Sequence, residues 1–239
     1  MAEYLKPQNA ATVILLRPQA NSGFELFMTR RPPGMNFLGG VYVFPGGSVR
    51  KEDCSESMLR RCHGLTEHEA QKIFSMRLSP ELSLGHWVAG IRELFEEVGI
   101  LLCVTEAGTP LDMDDSGRKQ RLEKKRQALV KRAIDFQSLL ESEKLLCDLP
   151  RLGYFSHWLT PEEFPIRYDT RFFLALLPAD QSPLATSEEV THSLWITPER
   201  SLELSRNGSL PMIFPTFASL RTLADYDSLV SLLAEYCLG

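Results

Sequence analysis

Three glutamates stand close together in the stretch GIRELFEEVGI (90–100). In a helix, residues three and four positions apart share a face, so Glu93 would lie beside Glu96 and Glu97. Carboxylates this close repel one another unless a cation lies between them. Oxygen ligands suit Mg²⁺ or Mn²⁺, and Mg²⁺ is commonly shared between protein carboxylates and substrate phosphates. The spacing therefore predicts a divalent metal site and phosphoryl chemistry; the alternative is a solvated helix face with Arg92 in a surface ion pair.

Two glycines precede this helix in the sequence FPGG (44–47), directly after a predicted strand. Glycine lets the backbone approach a ligand closely, so Gly46 and Gly47 are candidates for lining the site. Downstream, Gly99 ends the predicted helix. A strand, a Gly-Gly loop and a glutamate-rich helix that ends in glycine form a specific arrangement.

The sequence RELFEEVGI (92–100) resembles the second half of the Nudix box, G-x5-E-x7-R-E-U-x-E-E-x-G-U, where U is aliphatic. Every fixed position of that half is present, and Gly47 matches the glycine of the first half. The box places 13 residues between that glycine and the arginine, whereas 44 (48–91) intervene here, so the loop contains 31 additional residues. The first glutamate of the box would fall at Asp53, and either Asp53 or Glu52 stands in for it.

An interrupted box of this kind resembles one branch of the Nudix hydrolase superfamily, and is similar to that of the peroxisomal coenzyme A diphosphatases. The stretches YDTRFFLALLP (168–178) and LWITPERSLEL (194–204) resemble the strands that follow the box in that branch. The resemblance implies an α+β fold: a Nudix-type α/β/α sandwich with a mixed sheet plus helical insertions. It implies one Nudix-like domain over residues 1–239, with an insertion at 48–83 within the box and a helical insertion at 106–147.

A second motif concerns the substrate. Nudix enzymes that cleave coenzyme A often contain L-L-T-x-R-[SA]-x3-R-x3-G-x3-F-P-G-G, and FMTRRPPGMNFLGGVYVFPGG (27–47) fits this spacing without a gap. Arg31 matches the first arginine, and with Arg30 it is a candidate for binding phosphate through charge-assisted hydrogen bonds. The alternative for this pair is a solvated strand end. Asn36 stands where the motif has its second arginine, which leaves the substrate open.

The resemblance also implies a mechanism, in which water attacks phosphorus and metal neutralises the developing charge. Glu93, Glu96 and Glu97 would be the metal ligands, and Glu97 or Glu93 would orient or deprotonate the attacking water. Arg92 would pair with a carboxylate of the box and hold the helix against the loop.

The substrate side of the site has further candidates. The inferred substrate-binding set comprises Arg30, Arg31, Gly46, Gly47, Asp53 and Glu189. Glu188 and Glu189 precede a predicted strand and would supply an extra carboxylate from a loop. The alternative for both is an exposed loop charge.

The resemblance implies a metal-dependent diphosphatase, and its first candidate substrate is coenzyme A or acyl-coenzyme A, cleaved to 3′,5′-ADP and (acyl-)4′-phosphopantetheine. One alternative keeps the enzyme class and changes the substrate to ADP-ribose, a dinucleotide or a nucleoside triphosphate. Another is a non-catalytic Nudix-fold binding or regulatory protein, which only the uncertain first glutamate supports. The sequence contains no GxxxxGK[ST], GxGxxG, HExxH or GxSxG motif, so other common nucleotide-binding and hydrolytic classes lack support.

The composition of the chain limits the kinds of binding partner and the cellular location that we expect. The chain has a net charge of −5 with both signs mixed, which indicates neither a nucleic acid nor an anionic membrane as partner. No segment has the roughly 20 apolar residues of a membrane span, and no signal peptide or peroxisomal signal is visible, so we expect a cytoplasmic protein. The five cysteines form no CxxC pair and are expected to be reduced thiols. The expected partner is a small nucleotide-type substrate, and a homodimer is left open.

Strands and helices must position these groups. Alternation and β-branched residues predict strands at 11–17, 24–31, 41–44, 152–160, 170–178 and 189–197. We expect PGG to stop the third strand and PERSLELSRNG (198–208) to punctuate the late strands. Helical spacing recurs at 84–101, at 118–147 and in the last third. Because the segment 48–83 interrupts the catalytic loop, we expect it to cover the substrate entrance; a dimer contact or a surface embellishment are the alternatives.

Overall fold

The computed structural model describes residues 6–19, 23–35, 38–187 and 190–238. Strands and helices alternate irregularly along these ranges and share two packed cores, which confirms the predicted α+β class. None of the helices in these ranges is long and apolar enough to cross a membrane.

The elements are numbered in chain order. The strands are β1 (Gln8–Pro18), β2 (Phe24–Arg30), β3 (Tyr42–Val43), β4 (Gly46–Ser48), β5 (Cys62–His63), β6 (Cys103–Thr105), β7 (Leu145–Asp148), β8 (Gly153–Leu159), β9 (Tyr168–Leu176) and β10 (His192–Ile196). The helices are α1 (Glu56–Leu59), α2 (Glu67–Ile73), α3 (Pro80–Val98), α4 (Ser116–Val130), α5 (Phe136–Glu143), α6 (Pro198–Arg206), α7 (Phe214–Leu223) and α8 (Leu229–Glu235).

The main sheet has seven strands within the described ranges, with β1 at its centre. Its order is β10-β2-β1-β9-β8, and β3 and β4 pair with β2 and β1. β1 runs parallel to β9, from the pair Gln8–Tyr168 to the pair Leu16–Leu176. The other pairings in this sheet are antiparallel. The predicted mixed sheet is therefore confirmed, and β1 and β2 form an antiparallel hairpin within it.

Helices cover both faces of this sheet. Successive side chains of a strand point to opposite faces. Accordingly, Val13 and Leu15 of β1 belong to the same buried cluster as Trp87 of α3. The neighbouring Ile14 joins a second cluster with Leu220 of α7 on the other face. The continuous apolar run of β1 suits a strand buried on both sides, and the layers form the expected α/β/α sandwich.

A smaller sheet, in the order β5-β7-β6, joins three parts of the chain that are distant in sequence. Cys147 of β7 is in register with Cys62 on one side and with Cys103 on the other. Burial raises the pKa of the Cys147 thiol well above its ordinary value, which keeps the thiol protonated and unreactive. Sequence patterns did not predict this sheet, because strands of two to four residues are too short to show alternation.

The segment 48–83 packs into the core on the α3 side of the main sheet. It contains a 3-10 helix (Glu52–Cys54), then α1, β5 and α2. Its Met58 and Phe74 belong to the same buried cluster as Trp87. The rings of Phe74 and Trp87 stack with centroids 4.8 Å apart. The segment therefore contributes to the core of the fold, and its role at the substrate entrance stays a prediction.

One element prediction is wrong: the stretch PERSLELSRNG forms α6, because the Thr197 hydroxyl accepts the Arg200 N–H and Pro198 occupies the first turn. The third strand does stop before PGG, since β3 ends at Val43. The two glycines then begin a further strand, because Gly46–Ser48 pairs with β1 as β4. The other predicted strands and the helical periodicity correspond to observed elements.

The charged stretch at 118–147 holds α4 and α5 and ends in β7. The limits of the two insertions, 48–83 and 106–147, stay predictions, as does the single domain over residues 1–239.

We predict that Phe74→Ala will lower the free energy of unfolding by about 3–5 kcal/mol, the usual cost of truncating a buried phenylalanine. Phe74 is buried against Trp87, so its loss opens a cavity between the segment 48–83 and α3. Urea denaturation followed by tryptophan fluorescence measures the change. Phe214→Ala is the matched control, because Phe214 is 70% exposed, and it should cost about 1 kcal/mol or less. Equal losses for both variants would contradict the anchoring role of Phe74.

Candidate functional site

Helix α3 carries the three glutamates and has a defined end on each side. The Ser79 hydroxyl accepts the Leu82 N–H, and Pro80 occupies the first turn. The helix ends at Gly99, whose backbone is left-handed with φ 76°, a conformation that glycine adopts without strain. Because the helix stops there, the glutamates occupy its last two turns, next to the loop that follows.

The three carboxylates are buried. The exposed fractions of Glu93, Glu96 and Glu97 are 7%, 8% and 7%, so the alternative of a solvated helix face is wrong. Burial raises the pKa of the Glu93 carboxyl above its ordinary value, although the charge of Arg92 opposes this shift. Buried carboxylates are stable only when cations or hydrogen-bond donors surround them, and this cluster has both.

Arg92 is the central cation of the cluster. It is 1% exposed, and its guanidinium donates Nε and Nη2 to the two carboxylate oxygens of Asp53, each at 2.8 Å. Its Nη1 donates to Glu93 and, at 3.2 Å, to Glu96. Its Nη2 also reaches the Ser48 carbonyl at 2.9 Å. Burial lowers the pKa of the Arg92 guanidinium, but the Asp53, Glu93 and Glu96 carboxylates outweigh this effect and raise the pKa above its ordinary value. This contact set fits the expected role of Arg92, which is to hold the helix against the loop.

Of the two candidates for the first box glutamate, Asp53 and not Glu52 contacts Arg92. Asp53 is 2% exposed and forms a bidentate pair with Arg92, whereas Glu52 is exposed. The Arg50 backbone N–H also donates to Asp53 at 2.8 Å. Both Asp53 oxygens accept hydrogen bonds inside the protein, so Asp53 is a partner of Arg92. Its role in binding substrate stays a prediction.

The two glycines are brought against the glutamates. The Gly46 N–H donates to Glu97 Oε2 at 3.3 Å. A Cβ atom at Gly47 would lie 2.6–2.7 Å from the carboxylate of Glu93, closer than real side chains approach. A side chain at position 47 would therefore displace the Glu93 carboxylate from its present position. The pairing of β4 with β1 holds both glycines in this position.

Two arginines that the sequence analysis did not select also bind this helix. Arg50 forms a bidentate pair with Glu96, with both N···O distances at 2.9 Å. Arg126 of α4 donates Nη1 to the backbone carbonyl of Glu96 at 2.8 Å and pairs with Glu123. Arg50 lies three residues before Asp53, so recognising Asp53 as the box position would have drawn attention to it. No local pattern distinguishes Arg126 from the other basic residues of α4.

The predicted phosphate-binding arginines lie at the end of β2. Arg30 donates Nε to the Gly40 carbonyl at 3.0 Å and stands 5.7 Å from the centre of the Tyr42 ring. The Arg31 Nε is buried and has no hydrogen-bond partner within the described residues. Three residues named in the sequence analysis, Asn36, Glu188 and Glu189, lie outside the described residues.

A cleft of about 320 Å³ adjoins the end of α3. Phe27 and Trp195 line it, with ring centroids 5.1 Å apart, and the Arg17 guanidinium stands 4.4 Å above the Trp195 ring. Between cleft and helix, the Leu184 N–H donates to the Val98 carbonyl at 2.9 Å.

The donor set suits a hard divalent cation. Glu93, Glu96 and Glu97 provide carboxylate oxygens, which Mg²⁺ and Mn²⁺ prefer. As the side chains lie, however, no group of three or more His, Cys, Asp or Glu among the described residues could hold a metal ion. The cations next to these carboxylates are Arg92 and Arg50. The chemistry of the donors therefore fits a metal, and the side chains around Glu96 would have to rearrange to accept one.

Comparison with known proteins gives one family for this chain. The model of the NUDT19 Nudix domain matches residues 75–223. The chain is similar to the acyl-coenzyme A diphosphatase NUDT19 of Xenopus laevis, with 26% identity over 93% of this chain and 65% of the relative. It is similar to the human protein of the same name, with 28% identity over 93% of this chain and 66% of the relative. The chain thus spans slightly less than two thirds of the length of these curated relatives.

A solved structure also resembles it. The crystal structure of a NUDIX hydrolase from Alicyclobacillus acidocaldarius superposes with a TM-score of 0.73 and 27% sequence identity, and 98% of each chain is covered. The likeness extends over both helical layers and the sheet between them.

We predict that Asp53→Asn will destabilise the fold by about 3–5 kcal/mol, because it leaves the buried Arg92 without its main counter-charge. The two side chains differ little in size, so the loss would report charge and not packing. Glu52→Gln makes the same chemical change at the exposed neighbour and should change stability by no more than about 0.5 kcal/mol. Urea denaturation at neutral pH measures both. A larger loss for the Glu52 variant would mean that Glu52 takes the first box position.

Proposed function

The chain belongs to the NUDT19 Nudix domain family, and from this premise we propose that it hydrolyses a diphosphate linkage in a nucleotide-type small molecule. The observation that carries the proposal is the buried group of Glu93, Glu96 and Glu97, held by Arg92 against the Gly46–Gly47 strand. A non-catalytic binding protein would have no need for three buried carboxylates, which are costly to keep apart from water.

We propose coenzyme A or acyl-coenzyme A as the substrate, with 3′,5′-ADP and (acyl-)4′-phosphopantetheine as products. Two relatives that match 93% of this chain are named acyl-coenzyme A diphosphatases. The sequence at 27–47 has the spacing of the coenzyme A motif, with Arg31 at the first arginine. The aromatic cleft at Phe27 and Trp195 gives room for the group attached to the diphosphate.

A second candidate substrate class follows from Asn36. The coenzyme A motif has an arginine there, which would suit the 3′-phosphate through charge-assisted hydrogen bonds. Its replacement by Asn36 favours a substrate without that phosphate, such as ADP-ribose, a dinucleotide or a nucleoside triphosphate.

The proposed mechanism assigns a role to each side chain of the site. Glu93, Glu96 and Glu97 would hold Mg²⁺ or Mn²⁺, and such a cation supplies neutralisation of the charge that develops on the diphosphate. Glu97, oriented by the Gly46 N–H, or else Glu93, accepts a proton from water as the water oxygen attacks phosphorus and the bridging P–O bond breaks. Arg92 acts as a positioning residue through its bonds to Glu93 and Glu96.

We also propose roles for three other residues on the substrate side of the site. Arg31 is proposed to contact phosphate through its unpartnered Nε, and Arg30 to stabilise the same loop through Gly40. Glu189 is proposed as an additional carboxylate. A cytoplasmic location and a homodimer are proposals that cell fractionation and analytical ultracentrifugation would test.

We predict that the protein with Mg²⁺ or Mn²⁺ will convert coenzyme A or acyl-coenzyme A to 3′,5′-ADP and (acyl-)4′-phosphopantetheine, and that chelator will stop the reaction. Chromatography with mass spectrometry identifies the products, with ADP-ribose, NADH and a nucleoside triphosphate tested in parallel. Glu97→Gln should lower kcat by on the order of 100-fold or more, the size of a lost general base. Glu163→Gln, at an exposed site, should leave kcat unchanged.

The outcomes separate the proposals. Turnover of ADP-ribose or a dinucleotide alone would retain the hydrolase and replace its substrate. Absence of turnover with every compound, in protein shown to be folded, would favour a binding protein.

A further inference from the structure

Arg50 and a divalent cation would need the same oxygens of Glu96. Arg50 donates Nη1 to Glu96 Oε1 and Nη2 to Glu96 Oε2, both at 2.9 Å. Arg92 donates a further bond to Oε1 at 3.2 Å. A carboxylate offers about four lone-pair positions, so three of them already accept N–H groups within the described residues. A metal ion that bound both oxygens of Glu96 would need the position that the Arg50 guanidinium now occupies.

Of the two arginines, Arg50 is the one that can move. Arg92 is 1% exposed and donates to Asp53, Glu93, Glu96 and Ser48. Its displacement would break this entire set at once. The Arg50 side chain is 32% exposed, and within the described residues its side-chain hydrogen bonds go to Glu96 alone, with Glu93 Oε1 at 3.7 Å. A rotation of the Arg50 side chain into solvent would therefore free Glu96 and leave the remaining network in place.

Electrostatic repulsion also favours replacement of Arg50 by the metal ion over binding of both cations to Glu96. A guanidinium and a divalent cation repel each other strongly at the few ångströms that separate two ligands of one carboxylate, and low solvent access weakens screening. If Arg50 left and nothing replaced it, Glu96 would have only Arg92 to offset the repulsion of the Glu93 carboxylate, which is also unfavourable. Either Arg50 or a metal ion, in addition to the fixed Arg92, satisfies both limits.

We propose that Arg50 is an exchangeable counter-ion of Glu96, which stabilises the carboxylate and leaves it when a divalent metal binds. This inference rests on the proposed function, because it takes Glu96 as a metal ligand. Arg50 is then a positioning residue with two opposite effects: it stabilises the folded carboxylate cluster and lowers its apparent affinity for metal.

The test is metal affinity of the full chain, measured by electron paramagnetic resonance of free Mn²⁺ during titration. Arg50→Met keeps the apolar stem and removes the guanidinium, and should tighten Mn²⁺ binding roughly tenfold, which corresponds to removing a competing interaction of about 1.4 kcal/mol. Arg50→Lys should fall between wild type and Arg50→Met, because an ammonium cannot form the bidentate pair. Arg60→Met is the matched control, since Arg60 pairs with Glu56 at an exposed site of the same segment, and its Mn²⁺ affinity should equal that of wild type.

Thermal unfolding gives a second readout that a purely structural role would not reproduce. In chelator, Arg50→Met should have a lower Tm than wild type. Saturating Mn²⁺ should raise the Tm of Arg50→Met by more than that of wild type, because the ion binds the folded variant more tightly.

Three results decide the matter. Tighter binding by Arg50→Met and Arg50→Lys supports exchange. Mn²⁺ binding by wild type with equal or weaker binding by these variants overturns exchange and leaves the proposed function intact. Failure of wild type to bind Mn²⁺ overturns exchange together with the metal-dependent part of the proposed function. Arg50→Lys keeps the test decisive should Arg50→Met fail to fold.

Discussion

The buried pair between Arg92 and Asp53 is the interaction on which the site depends. It joins the helix that bears the glutamates to a segment that begins about 40 residues earlier in the chain. A bidentate arginine–carboxylate pair fixes direction as well as distance. With the guanidinium oriented in this way, its remaining donors point at Glu93 and Glu96. The geometry of the acidic cluster is thus determined by a contact between two residues that need not touch substrate.

The surrounding layers make this pair possible by excluding water. The main sheet covers one side of α3, and the segment 48–83 covers another with Phe74 stacked on Trp87. In such surroundings a lone carboxylate would be costly, and each one therefore has a cation or a backbone N–H close by. The close approach of β4 to β1, where a Cβ at Gly46 would clash with the Ala11 carbonyl oxygen, completes the enclosure.

Sequence patterns were sufficient for the fold class, the main strands, α3 and the group of glutamates. These follow from periodicity and from fixed motif spacing, both of which are local properties of the chain. Patterns could not choose between Asp53 and Glu52, because the choice depends on which side chain a 3-10 turn directs at Arg92. Arg50 and Arg126 were missed for a related reason: the local sequence does not indicate which long basic side chains are buried and which are exposed. The strands β5, β6 and β7 were missed because their stability comes from partners distant in sequence.

The small sheet has a consequence for how the protein reaches its native state. Its central strand, β7, pairs with residues as far back as Cys62, so a long loop must close before that pairing forms. Loop closure of this kind opposes rapid folding and raises contact order. During synthesis, the segment that bears Asp53 gains this anchor only after residues 145–148 have left the ribosome. The small sheet next to the segment that bears Asp53 is therefore expected to form only after β7 has been synthesised.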